Sequence, residues 1–121
     1  MWLADDVVKD DRTGKVNVSG LFDTIHVAPP SNEFGRPAYL FFAISGAHAP
    51  VSLRLCYVDL ADNRVLIERP VQVSSSGPLE IIDVAVRLKK MPIPRPGLYA
   101  WELYAENELL GRSRVRAISV Q

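Results

Sequence analysis

The chain is poor in the residues that do chemistry. Cysteine occurs once, as Cys56. A lone thiol closes no intramolecular disulfide, so a stapled secreted scaffold is excluded. Histidine occurs only as His26 and His48. These residues form neither a Cys-x-x-Cys nor a His-x-x-x-His spacing, so nothing indicates zinc. A cysteine nucleophile needs a nearby base or a helix amino terminus, and Cys56 sits inside an alternating run.

Net charge is lacking too: 14 basic residues balance 14 acidic ones. That balance does not favour general attraction to nucleic acid or to an anionic membrane. The longest apolar run, Ala38 to Ile44, is too short to span a bilayer. The opening MWLADDVVKDD has no basic region and no cleavage pattern, so a cytoplasmic protein is expected. Sustained helical periodicity is missing as well. The serine-rich Ser74-Ser75-Ser76-Gly77 lacks both the lysine of a phosphate loop and a Gly-x-Ser-x-Gly elbow.

What is present is period two. Val51, Leu53, Leu55 and Tyr57 alternate with Ser52, Arg54 and Cys56, as a half-buried strand requires. Leu79 to Leu88 sets Ile82, Val84, Val86 and Leu88 on one face; Glu80 breaks that face, so the strand starts after it or carries a bulge. Further runs are Leu3 to Val8, Val16 to Phe22, Thr24 to Val27, Tyr39 to Ser45, Val65 to Val73, Leu98 to Ala105 and Ser113 to Val120. Gly, Pro, Asn and Asp punctuate them, and Gly14 in the loop Asp10 to Lys15 is free to take positive φ. Residues 1–121 therefore read as one all-β domain. The expected fold is an antiparallel, immunoglobulin-like β-sandwich of seven to eight strands with little or no helix. A closed barrel is the alternative.

The last third carries most of the charge pattern. From Arg87 to Arg116 there are seven basic and three acidic residues. In Leu98 to Glu106 the odd positions Tyr99, Trp101 and Leu103 are expected inward. Arg112, Arg114 and Arg116 share one face of the return strand. A three-residue loop, Asn107 to Leu109 with Asn107 left-handed, would set Glu102 opposite Arg114, Tyr104 opposite Arg112 and Trp101 opposite Val115. Arg116 then faces Ala100 without a polar partner. A bulge near Ala117, or a change of sheet, would explain why Ile118 falls on the arginine face. The cations left over, Lys89, Lys90, Arg95 and Arg116, form the candidate partner surface. Asp5, Asp6, Asp10, Asp11, Asp59, Asp62 and Asn63 lack EF-hand spacing and read as solvated turns.

The segments LADDV, GKVNVSGLFDTI and PIPRPGLYAWELYAENELLGRSRVRAISV resemble an uncharacterised bacterial family of small immunoglobulin-like β-sandwich proteins. Ala4-Asp5-Asp6-Val7, Gly14-Lys15, Gly20-Leu21-Phe22-Asp23 and Pro94-Arg95-Pro96-Gly97-Leu98-Tyr99 carry the likeness. Asn107-Glu108 departs from a more usual Asp-Gly-Glu. The resemblance implies the fold and a bacterial cytosolic origin, and it carries over no catalytic residue. With no acid/base constellation in view, no enzyme and no cofactor is expected. The expected function is a protein-interaction or assembly module, its partner a protein or a second copy. The alternative is a small-ligand or carbohydrate-binding sandwich using Trp2, Tyr39 or Tyr57.

Overall fold

A computed structural model describes residues 1–27, 37–45, 51–74, 81–89 and 91–119. Nine strands run through them, and no helix does. They are β1 (Trp2–Lys9), β2 (Val16–Leu21), β3 (Thr24–Val27), β4 (Ala38–Ser45), β5 (Val51–Asp59), β6 (Arg64–Val73), β7 (Ile81–Leu88), β8 (Gly97–Ala105) and β9 (Glu108–Ser119). The count exceeds the expected seven to eight and equals the number of alternating runs, each of which, down to the four-residue β3, forms a separate strand. It pairs in parallel with β9, Ile25 opposite Ala117, while every other pairing is antiparallel.

The strands form two sheets rather than a closed barrel. One has the order β2-β1-β4-β7, the other β3-β9-β8-β5-β6. Inward residues of both sheets merge into one core: Leu3, Leu40, Phe42, Val86 and Leu88 from the first, Leu53, Leu55, Tyr57, Tyr99 and Trp101 from the second. These are the apolar positions of the two-residue alternation, which places every second side chain on the same face.

One end of the sandwich is closed by the segment 91–96. Met91 and Ile93 drop into the core. The Tyr57 hydroxyl donates to Pro92 O at 3.0 Å, and the Trp101 indole N–H points at Met91 Sδ at 3.3 Å. The Tyr99 hydroxyl donates to Arg95 O. Beneath lies an aromatic stack: Tyr57 and Tyr99 have ring centroids 5.6 Å apart and nearly parallel planes, and Trp101 lies 4.8 Å from Tyr57. The prolines keep this segment extended, and their missing N–H groups leave few donors to satisfy there.

The β8–β9 hairpin departs from the expected register. Its turn is the two residues Glu106 and Asn107, with Ala105 opposite Glu108, and Glu106 rather than Asn107 takes positive φ, at 55°. The register shifts between Leu103 and Tyr104. Beyond that bulge Glu102 faces Arg112, Ala100 faces Arg114, Leu98 faces Arg116, Tyr99 faces Val115 and Trp101 faces Ser113. Each partner is thus displaced by two residues. A displacement of two preserves which side chains point inward, so Tyr99, Trp101 and Val115 are buried as expected. No bulge occurs near Ala117. Its pairing with Gly97 and Ile25 is continuous with that of its neighbours, and Ile118 is simply exposed.

The first hairpin forms as expected. Gly14 takes φ 72°. The Asp10 carboxylate accepts the N–H groups of Arg12 at 2.8 Å and Thr13 at 3.3 Å, which holds its pKa below the ordinary value.

Candidate functional site

The candidate cations do not assemble into one patch. Arg95 is committed to the closed end of the sandwich. Its guanidinium lies 3.0 Å from Asp59 and 3.7 Å from Asp62. Asp59 is buried and also accepts the Ala61 N–H at 3.0 Å. Lys89 stands exposed just after β7, and Lys90, like His48 and the turn residues Ser75 to Pro78, lies outside the described residues. Arg116 projects from β9 into an open groove of about 410 Å³ bordered by Asp23, Thr24, Leu98 and Arg114. Among the described residues neither Arg114 nor Arg116 has an ion-pair partner.

Arg112 has the partner expected for Arg114. Glu102 Oε2 accepts Arg112 Nε at 2.8 Å and pairs with Nη2 as well, while Glu102 Oε1 accepts the Tyr104 hydroxyl at 3.0 Å. Arg54 from β5 covers the Tyr104 ring, its Cζ 4.8 Å from the centroid, and reaches Glu68 at 3.7 Å. Glu102 is buried by this network although it faces away from the core. Cys56 sits between Glu102 and Glu68 in the cross-strand row. Burial pushes its thiol pKa up, and Arg54 only partly offsets this. It is poorly suited to act as a nucleophile. No group of three or more metal-ligating side chains comes together among the described residues.

The more informative surface is a sheet edge. An edge strand leaves a row of N–H and C=O groups unpaired, and proteins blunt such edges with prolines, bulges, charges or brevity. Three of the four edges carry such devices. β3 has only four residues. β6 carries Pro70, Glu68 and Arg69 and a register shift opposite Tyr57 and Val58. The β2 ladder skips the Asp5/Gly20 position, where Gly20 takes φ 70° and an added Cβ would meet the Asp5 carboxylate. β7 differs. All eight residues pair with β4 in one unbroken register, without proline or bulge.

Besides its own Asp83 and Arg87, the guard on β7 among the described residues is Arg69, whose Nη1 donates to Arg87 O at 3.0 Å. That carbonyl is reachable from β6 because it points away from β4. In an antiparallel ladder the backbone groups of alternate residues point the same way. The N–H and C=O groups of Ile81, Asp83 and Ala85 therefore face the open edge too.

Beside this edge, the solvent face of the four-stranded sheet is apolar and aromatic. The cross-strand rows are Leu21–Ala4–Tyr39–Arg87 and Trp2–Phe41–Ala85, followed by Ala43–Asp83. Trp2 is 57% and Leu21 60% exposed. Trp2 also borders two grooves, of about 260 and 400 Å³, the larger lined by Phe42, Ile44, Leu103 and Leu110. β4 thus offers apolar side chains on both faces, the pattern of a strand covered on both sides. Exposed apolar patches of this kind mark contact surfaces.

Residues 1–118 match the model of a family of unknown function, DUF6941. The chain belongs to the DUF6941 family. No curated protein and no solved structure matches it. Any activity of this DUF6941 member is read from its own surfaces. The match covers β1 to β8 and all but the last residue of β9, including β7 and the aromatic face.

Neither feature stood out in the sequence. Strand order is a long-range property, so local alternation does not reveal which strand lies at an edge. A signal was nonetheless present: the seven-residue apolar run Ala38 to Ile44 exceeds what a strand with one wet face needs.

Proposed function

We propose that this chain is a non-enzymatic protein-interaction or assembly module that accepts an added strand along β7. The observation carrying this reading is that β7 is an uninterrupted eight-residue edge beside an apolar sheet face, whereas β2, β3 and β6 are blunted. Strand addition draws affinity from main-chain hydrogen bonds and specificity from neighbouring side-chain pockets. The reading includes an immunoglobulin-like sandwich in the bacterial cytosol; a single unpaired, buried cysteine supports a reducing compartment. A neutral net charge argues against nucleic acid as the partner.

The test uses the full chain immobilised in extract of the native host, with hydrogen exchange on the recovered complex. A bound protein that protects the Asp83 and Ala85 amides, and is lost with Ala85→Pro, supports the reading. A partner kept by Ala85→Pro, with β7 unprotected, overturns it. Proline suits this test because the Ala85 N–H faces the open edge and donates nothing to β4.

A second reading, a carbohydrate- or small-ligand-binding sandwich, is favoured by the shared face of Trp2, Phe41 and Tyr39. Tyr57, expected to belong to that set, lies in the core. Trp101 is buried, so a ligand on this face changes the emission of Trp2 alone. Unaltered Trp2 fluorescence across a panel of oligosaccharides removes this reading.

A further inference from the structure

Building on the strand-addition reading, we infer that the partner strand is β7 of a second copy, paired antiparallel about a two-fold axis at Ala85. The argument is self-complementarity. Outward residues of β7 are Ile81, Asp83, Ala85 and Arg87; inward ones are Ile82, Val84, Val86 and Leu88. With Ala85 opposite its own copy, Asp83 of each chain stands opposite Arg87 of the other. On the inner face Ile82 meets Leu88 and Val84 meets Val86. Opposite charges directly across an antiparallel pair stabilise it, and like charges destabilise it.

Within one chain Asp83 and Arg87 are four strand positions apart, roughly 13 Å, and neither side chain has an ion-pair partner among the described residues. The second copy supplies a partner of opposite charge to each. Registers centred on Val84 or Val86 lose the Asp83–Arg87 pairing, and those centred on either charged residue set like charges together. Sliding the pair so that the axis passes through Asp83 sets aspartate against aspartate; moving it to Arg87 sets arginine against arginine. The Arg87 carbonyl, already accepting from Arg69, has a second lone pair for the Asp83 N–H of the other copy. Pairing would extend the four-stranded sheet and make the face of Trp2, Phe41 and Tyr39 continuous across both chains. An isologous contact of this kind closes as a dimer instead of growing into a fibre.

The register is tested by disulfide cross-linking of the full chain. Hydrogen-bonded residues directly opposite one another have Cα atoms about 5.5 Å apart, within disulfide range. Cys56 is buried, so an introduced cysteine is the accessible thiol. Ala85→Cys is expected to give a covalent dimer under mild oxidation, and Asp83→Cys is expected to stay monomeric. In the Ala85→Cys background, Asp83→Arg and Arg87→Asp should each lower the cross-link yield at least several-fold when alone. Mixing the two should restore it, because both charge pairs are then complementary. Equal cross-linking at positions 83 and 85, no cross-link at Ala85→Cys, or indifference to the charge changes overturns the inference. If self-pairing fails in this way but a host protein still protects the Asp83 and Ala85 amides, strand addition stands and only the identity of the partner is wrong.

Discussion

The guanidinium of Arg95 lies 3.0 Å from the carboxylate of Asp59, which is buried beneath the end of the sandwich. Arg95 itself is half exposed. Removing it leaves a buried carboxylate whose remaining hydrogen bond among the described residues is from the Ala61 N–H. Breaking a fully buried pair costs about 3–5 kcal/mol, and solvent reaching Arg95 reduces that to about 1–2 kcal/mol. Arg95→Ala should lower stability by that amount in urea unfolding, without altering association.

The three arginines of β9 should separate cleanly on substitution. Arg112→Ala abandons the buried Glu102 carboxylate and should cost about 2 kcal/mol. Arg114→Ala and Arg116→Ala remove exposed cations that have no ion-pair partner among the described residues and should each stay within about 0.5 kcal/mol. Equal losses at all three in thermal or urea unfolding would contradict the register.

Alkaline pH should weaken the fold through Tyr57. Burial raises its pKa well above the ordinary 10.0, with Tyr99 and Asp59 adding to the effect. In the unfolded chain Tyr57 ionises near its ordinary value, so between that value and its folded pKa the native state binds more protons. Its contribution is complete below about pH 10 and is lost as pH rises further, by up to about 1.4 kcal/mol per pH unit. Burial raises Tyr99 in the same direction. Urea unfolding from pH 8 to 11 should show the decline, and Tyr57→Phe should flatten it. That variant also loses the bond to Pro92 O, at about 1 kcal/mol across the whole range.

Arg69 should act as a brake on the β7 edge. Arg69→Ala frees the Arg87 carbonyl, so light scattering should show more association than in the parent chain. Monomer stability should fall by less than about 1 kcal/mol, because the guanidinium bond is solvent-exposed. Unchanged association would show that the edge needs no guard.

Local alternation was enough to locate Thr24 to Val27 and to assign Ile82, Val84, Val86 and Leu88 inward, because side-chain direction depends only on strand parity. Register needs more. The turn at Glu106 and Asn107 and the bulge near Tyr104 shift the partners of Gly97 to Leu103 by two and set Tyr104 opposite Leu109 instead of Arg112, and residue type alone favoured Asn107 for the left-handed position that Glu106 occupies. The burial of Glu102 was likewise hidden, since it arises from Arg112 and Tyr104 folding over an outward position. Arg95 read as a free cation because its partner, Asp59, is distant in sequence.

The parallel pairing of β3 with β9 imposes an order of events during synthesis. Ile25 is buried against a strand whose Ala117 lies about 90 residues further along the chain. At roughly 5–20 residues per second, Ile25 leaves the ribosome several seconds before the strand that shelters it exists. Pairing of β3 therefore waits for the synthesis of β9. Until β9 arrives, β3 has no strand to pair with and the side chain of Ile25 lacks the shelter it has in the folded chain.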